Sequence, residues 1–124
     1  MRLISSIVLA MVLAARAFAT ELPLPVFPDP NAACAADADR FYDRASDYRW
    51  RLMNNDCLEK AQAGYDVAQA LWKDVPDKYA SHCLYYGQTA AADKRSAPYA
   101  WSVFGQCVAE FSAYGYQAQP FTAR

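Results

Sequence analysis

The sequence has little of what a known class of enzyme would need. It contains one histidine, His82, and no G-x-S-x-G elbow, phosphate-binding P-loop or H-E-x-x-H zinc motif. Glu59 and Asp66 share a helical side, but two turns place them ~10 Å apart, farther than the carboxyl groups of a retaining glycosidase. We therefore predict no catalytic residues and no enzymatic activity. A small hydrolase is the least favoured alternative.

An excess of charge of one sign is also absent. The chain has 12 basic and 13 acidic residues, and neither forms a long run. A nucleic-acid-binding protein normally carries a basic patch or arm, and a protein that docks on anionic membranes carries a basic cluster. The charge pattern therefore argues against nucleic acid as a partner and against electrostatic docking on an anionic membrane. Between residues 37 and 51 aspartates and arginines alternate, which is typical of a solvated helix face.

Closely spaced cysteines are missing. The four cysteines have 22, 25 and 23 residues between them and lie at Cys34, Cys57, Cys83 and Cys107. This spacing excludes the C-x-x-C redox motif and the C-x-x-C-H haem motif, and it lacks the C-x₂₋₄-C pairs of zinc sites. We predict two disulfides, no metal site and no cofactor.

Long apolar runs are confined to the first residues of the chain. A short charged start, an apolar run to Ala15 and the site Ala17-Phe18-Ala19 are typical of a secretory signal peptide over residues 1–19. The run is shorter than the ~20 residues that span a bilayer, so a membrane helix is the weaker interpretation. We expect a periplasmic or secreted protein with no stable membrane span after the signal is removed. Disulfides form in such compartments.

Apolar residues recur at three- and four-residue steps in the middle of the chain, as they do on one side of an α-helix. They are Leu58, Ala61, Tyr65, Ala68, Leu71, Trp72 and Val75. Asp56 and Glu59 match a capping box at the start of this stripe. Val75-Pro76 ends it, because the residue before a proline is pushed out of the α conformation. The pattern predicts an amphipathic helix over about 56–74.

A shorter helix over about 76–87 completes a helical hairpin, with Gly87 as its stop. Another helix is predicted over about 31–53, and a last one begins at Ser96, which is followed by a proline in the first turn. The predicted fold is therefore all-α: a small disulfide-stapled bundle of about four helices around the hairpin, within a domain over residues 31–112.

The two ends of the chain lack helical periodicity. Prolines at positions 23, 25, 28 and 30 predict an extended polyproline-II arm over residues 20–30, which serves either as a spacer or as a docking peptide. Residues 113–124 contain glycine and proline and are predicted to form a flexible tail. This tail carries Tyr114, Tyr116 and Phe121. An unknown protein partner could bind through the arm or the tail.

Three tryptophans bear on how the helices pack. Trp72 and Val75 end the same stripe, so we expect Trp72 to be buried there. Trp50 and Trp101 fit their stripes less well and could form either a second packing layer or a ligand-binding surface.

Four cysteines allow three pairings. Cys34 and Cys57 are both predicted in the first turn of their helices, so antiparallel packing would separate them beyond disulfide range. An oblique crossing of the hairpin would bring Cys83 to Cys57 and leave Cys107 for Cys34. We favour Cys57–Cys83 with Cys34–Cys107. Cys57–Cys107 with Cys34–Cys83 is close behind.

The pattern C-L-x₆-Y-D-x₅-W-x₂-V-P-x₆-C, over residues 57–83, resembles small exported bacterial helical proteins without an assigned activity. The resemblance implies a structural framework and no catalytic residues. The size and helicity are also similar in class to acid-stress periplasmic chaperones. The main hypothesis is therefore a non-enzymatic binding or interaction protein. The alternative is a carrier of a small apolar ligand, which would need a pocket of roughly 300 Å³ or more between the helices.

Overall fold

The computed structural model describes residues 20–112 and 121–123, which form four α-helices. They are α1 (Pro30–Asp39), α2 (Tyr48–Leu71), α3 (Asp77–Ala92) and α4 (Ala100–Phe111), and short 3₁₀ turns precede α3 and α4 at Trp72–Asp74 and Ala97–Tyr99. No strand occurs in the described residues. The predicted all-α, disulfide-stapled bundle of about four helices is confirmed. The predicted signal peptide and most of the predicted tail lie outside the described residues.

The first two helices are separate, although the sequence predicts a single helix over about 31–53. The chain turns at residues 40–47, where the Asp43 carboxylate accepts hydrogen bonds from a backbone amide (3.0 Å) and a hydroxyl (2.9 Å) of the same turn. Asp47 then caps α2 by accepting a backbone N–H at 3.0 Å. The prediction was wrong because these two aspartates act as turn and N-cap residues.

The predicted start of the hairpin at about residue 56 is also wrong, because the helix already begins at Tyr48 after the Asp47 cap. Asp56 lies inside α2, where its carboxylate pairs with Lys60 at 2.9 Å instead of capping a helix. The corner after α2 follows the prediction, since Val75 is extended and α3 begins directly after Pro76.

Gly87 does not end the second helix of the hairpin, because α3 continues past it to Ala92. The glycine is buried, and a Cβ atom placed on it would lie 2.5 Å from Cζ of Phe27. Gly87 therefore makes room for an aromatic ring within a continuous helix.

The favoured disulfide pairing is wrong. The structure joins Cys34 to Cys57 and Cys83 to Cys107, with Cα–Cα distances of 5.7 and 5.5 Å. Because α1 ends before the turn at residues 40–47, Cys57 lies well inside α2 and not in its first turn. The short helix α1 folds back beside the first half of α2 and brings Cys34 level with Cys57. Each disulfide thus closes one helical hairpin, α1–α2 or α3–α4.

The hairpins pack through a close crossing of α2 and α4 at two glycines. A Cβ atom on Gly105 would lie 2.6 Å from Cα of Gly64, and a Cβ atom on Gly64 would meet the carbonyl group of Trp101 and lie 2.8 Å from Cα of Ser102. A Cβ atom essentially never lies within 3.0 Å of a non-bonded atom. The helices therefore approach with backbone against backbone, which only glycine permits at this crossing.

We expect Gly64→Ala to destabilise the protein by about 1–3 kcal/mol, the usual range for overpacking a filled interior. The loss should appear although alanine favours a helix over glycine by about 1 kcal/mol. Denaturant unfolding measures it.

Gly87→Ala is the comparison variant, because its new methyl group would meet the side chains of Phe27 and Phe104 and not a helix backbone. A loss is expected there as well, since both side chains are buried in the core. Stability of Gly64→Ala at or above that of the native protein would contradict the backbone contact.

Aromatic rings fill the core between the hairpins. Phe104 is fully buried and packs with its ring centroid 5.0 Å from that of Trp72 and 5.7 Å from that of Phe27. Trp101 lies 4.7 Å from Phe27 and 4.9 Å from Tyr65, with edge-to-face geometry. Trp101 therefore belongs to the packing, and the predicted burial of Trp72 is confirmed.

The proline-rich arm packs against the helices. The backbone N–H of Thr20 donates to the carbonyl of Val75 (3.0 Å), and the indole N–H of Trp72 donates to the carbonyl of Leu22 (2.6 Å). Farther along, the Phe27 side chain is buried in the core. An arm held at these points does not separate the domain from another body, so the spacer interpretation does not fit this packing.

Candidate binding sites

The three residues that the sequence analysis weighed and set aside as catalytic groups lie on the surface. His82 is exposed on α3, and its ring contacts the rings of Tyr86 and Phe111 with centroids 4.7 and 5.8 Å away. Glu59 and Asp66 are both exposed on α2, where Asp66 accepts a hydrogen bond from a glutamine of the same helix. The structure does not bring these three residues together. That the protein is not an enzyme stays a prediction.

The cysteines serve the fold. All four are buried and paired, and none of the described cysteines is free. Within residues 20–112 and 121–123 no group of three or more histidine, cysteine or acidic side chains is arranged to hold a metal ion. In the same part of the chain, no helix is both long and apolar enough to cross a bilayer.

The two predicted partner-binding segments differ in what they leave accessible. In the arm, Val26 is 96% exposed while Phe27 beside it is buried, and residues 21–23 are also exposed, so much of the arm surface faces the solvent. In the tail, Tyr114 and Tyr116 lie outside the described residues, and Phe121 is exposed.

A third exposed segment, which the sequence assigned to a solvated helix face, carries arginines stacked on aromatic rings. The guanidinium carbon of Arg44 lies 4.6 Å from the ring centroid of Trp50, and that of Arg49 lies 4.8 Å from that of Tyr42. Arg40 lies over Phe41 at 5.6 Å. We call this segment, residues 40–52, the arginine–aromatic surface.

Aspartates hold the two closest of these stacks in place. Asp39 accepts hydrogen bonds from the Arg44 guanidinium (2.9 Å) and from the indole N–H of Trp50 (2.7 Å). These two donors, Arg44 first, lower the pKa of Asp39 from its ordinary value of 3.8. Asp47 binds the Arg49 guanidinium at 2.8 Å, which lowers the pKa of Asp47 in the same way. Both carboxylates therefore stay ionised down to acidic pH and keep the arginines oriented.

The same surface exposes large apolar side chains. Phe41, Tyr48 and Leu52 are 63, 67 and 62% exposed. Tyr48 and Leu52 are four residues apart on α2 and so share one face of the helix. Aromatic residues and arginine are enriched at protein–protein interfaces and among the residues that dominate binding energy there.

A cleft of about 550 Å³ lies between α1 and the end of α3. Residues of α1 spaced three and four positions apart line one side of the cleft. The end of α3 and the link to α4 line the other side. The lining residues are Pro28, Ala33, Ala36, Asp37, Arg40, Ala91, Ala92, Lys94 and Ala97. Because five of them are alanines, no long side chain fills the space. We call this space the α1–α3 cleft.

Asp37 is the buried charge of this cleft. Its side chain is almost inaccessible and forms an ion pair with Arg40, and the hydroxyl of Tyr99 donates to it at 3.3 Å. Partial burial and the negative charge of Asp37 raise the pKa of Tyr99 above its ordinary value of 10.0, so the phenol keeps its proton and remains a donor. The Tyr99 bond ties α1 to the segment before α4 and so fixes the spacing of the cleft walls.

Comparison with protein-family models, curated proteins and solved structures finds no match to this chain in any of the three. Function is therefore inferred from the residues and their geometry.

Sequence reasoning missed both the arginine–aromatic surface and the role of Asp37. The alternation of aspartate and arginine suggested a solvated face, but aromatic residues also occur among the charges at positions 41, 42, 48 and 50. This interleaving was the available signal for the surface. For Asp37 the signal was weaker, since only the arginine three residues later marks a local partner.

Proposed function

We propose that the protein is a non-enzymatic interaction protein of the periplasm or cell exterior, and that its arginine–aromatic surface binds a protein partner. Two buried disulfides in the described residues are typical of proteins from oxidising compartments, which supports export. The signal-like pattern of residues 1–19 points the same way.

One observation carries this proposal: Phe41, Tyr48 and Leu52 are exposed on a segment in which two arginines, Arg44 and Arg49, are already held by ring stacking and aspartates. A surface ordered before binding loses less side-chain entropy when a partner arrives. The four arginines and four aspartates between residues 37 and 51 also balance, which leaves little net charge to attract nonspecific polyanions. The partner surface that fits is an apolar pocket with polar acceptors at its rim.

Affinity capture from the extract of the native compartment tests this proposal. We expect a partner held by the native protein to be lost on the double variant Tyr48→Ala/Leu52→Ala. Truncating residues that anchor an interface typically costs ≥ 2 kcal/mol each, or roughly 30-fold in affinity. Quantitative mass spectrometry of the captured proteins is the readout.

Tyr85→Ala is the matched control, because Tyr85 is an equally exposed aromatic residue on α3 and lies outside the surface. The control should retain the partner. Arg49→Lys keeps the charge and removes the planar group that stacks on Tyr42, so it should weaken binding as well. Equal capture by the native protein and the double variant would refute the assigned surface.

The α1–α3 cleft favours a second function, that of a carrier for a small apolar ligand. Its volume exceeds the roughly 300 Å³ at which ligand pockets begin. A carrier role is compatible with the first proposal because the cleft and the arginine–aromatic surface meet at Arg40.

A further inference from the structure

We propose that the α1–α3 cleft binds a small amphiphilic monoanion, an apolar body that carries a single carboxylate, of the kind that a medium-chain fatty acid represents. This inference rests on the carrier function proposed above and names the chemical class of its ligand.

The walls of the cleft are formed before any ligand binds. The disulfide at Cys34 fixes α1 against α2, and the Tyr99–Asp37 hydrogen bond holds α1 to the opposite wall. On that wall the Ser96 hydroxyl donates to the carbonyl of Ala90 (2.7 Å) and so holds the link against the end of α3. A ligand therefore enters an existing space and orders few protein groups, which favours affinity.

The lining is apolar over most of its extent. Alanines of α1 and α3 face one another, and Pro28 of the arm contributes a further apolar group. Ala36 and Ala92 are exposed, so the cleft is open to solvent between them. A hydrocarbon chain lying there would remove these methyl groups from water, which favours binding.

The charged groups of the lining favour a negative ligand. The negative charge of Asp37 is neutralised by Arg40, and its carboxylate also accepts a hydrogen bond from Tyr99. Asp37 therefore does not need a cation from the ligand. Lys94 is exposed and forms no ion pair in the part of the chain that the structure describes. The Arg40 side chain is 42% exposed and keeps N–H donors beyond the one that binds Asp37. The lining thus has one cation in excess, and it also contains the Arg40 guanidinium, which has donors left for an anion.

Calorimetric titration with two ligands of the same chain length separates the apolar and the charged contribution. Decanoate and decan-1-ol, each below the concentration at which it aggregates, carry the same hydrocarbon body. We expect decanoate to bind the native protein about tenfold more tightly, the effect of one hydrogen bond to a charged group. Lys94→Gln should lose this tenfold difference and bind the alcohol as before. Lys73→Gln, an exposed lysine outside the cleft, should leave both affinities unchanged.

Filling the cleft should abolish binding of both ligands. Ala36→Leu and Ala92→Leu, tested separately, each place a branched side chain in the open space from an exposed position, so neither disturbs the core. Ala70→Leu on α2 is the matched control, since Ala70 is an exposed helical alanine outside the cleft lining. Native affinity in both filled variants would overturn the site.

Different results would overturn the carrier function and the anionic class of its ligand. Equal affinity of decanoate and decan-1-ol for the native protein would overturn the anionic class and leave the carrier function intact. Absence of binding by either ligand would overturn both.

Discussion

Reduction of both disulfides is expected to remove most of the stability of this protein. Each disulfide closes a loop between cysteines 23 or 24 residues apart, and a loop of this size contributes about 3 kcal/mol by restricting the unfolded chain. Two such contributions are comparable to the whole stability of a small domain, about 5–15 kcal/mol. The melting temperature should fall by roughly 20 °C or more, measured by circular dichroism with and without reductant.

The same sample also tests the pairing. Alkylation without reductant should label no cysteine, and trypsin should then release two linked peptide pairs because a lysine or arginine lies between every two consecutive cysteines. One pair should contain Cys34 and Cys57, and the other Cys83 and Cys107. A peptide that links Cys57 to Cys83 would contradict the structure, and labelling of all four cysteines in protein from the native compartment would contradict export.

Trp72→Ala should cost about 3–5 kcal/mol of unfolding free energy, the usual loss for a core aromatic residue. Trp72 is 5% exposed at the corner of α2 and α3, and its ring packs on Phe104. The substitution also leaves the carbonyl of Leu22 without its indole donor, so the arm should loosen at the same time. Denaturant unfolding measures the first effect, and hydrogen exchange of residues 20–30 measures the second.

Trp72→Phe separates the contribution of the Trp72 ring from that of its N–H donor, and Tyr85→Ala is the control. Trp72→Phe keeps a ring but removes the N–H donor, so it should lose less stability than Trp72→Ala while still loosening the arm. Tyr85→Ala removes an exposed aromatic residue and should change stability by less than ~0.5 kcal/mol. A loss below about 1 kcal/mol for Trp72→Ala would mean that this corner is not part of the core.

Some features of the fold follow directly from local sequence. The apolar steps from Leu58 to Val75 predict the buried side of α2, because a helix repeats every 3.6 residues whatever it packs against. Val75-Pro76 predicts the corner because the clash between proline and the preceding residue is local. The burial of Trp72 at this corner followed from the same pattern.

The predicted boundary of the first helix was wrong because two local interpretations of the same residues competed. Asp43 and Asp47 suit either a solvated helix or a turn with a following N-cap, and the turn is the one that forms. This single error extended the first helix to about Met53 and misplaced Cys57 in a first turn. The wrong disulfide pairing then followed from sound geometry applied to a wrong helix boundary.

The candidate sites depended still more on tertiary structure. The alanines of the α1–α3 cleft come from segments more than 50 residues apart, and nothing local indicates that they face each other. Likewise, Asp37 differs from its neighbour Asp39 only in which side of α1 it occupies, yet one is buried against Tyr99 and the other is exposed beside Arg44.

The sequence by itself determined the helical class, the α2–α3 corner and the presence of two disulfides, because periodicity, proline sterics and paired cysteines act within short stretches or by composition. Only the tertiary structure decided which cysteines pair, where the arm lies and which surfaces remain open. Gly64 and Gly105 show the physical reason. Each is an ordinary helical glycine in the sequence, and the backbone contact that requires both exists only after α2 and α4 have crossed.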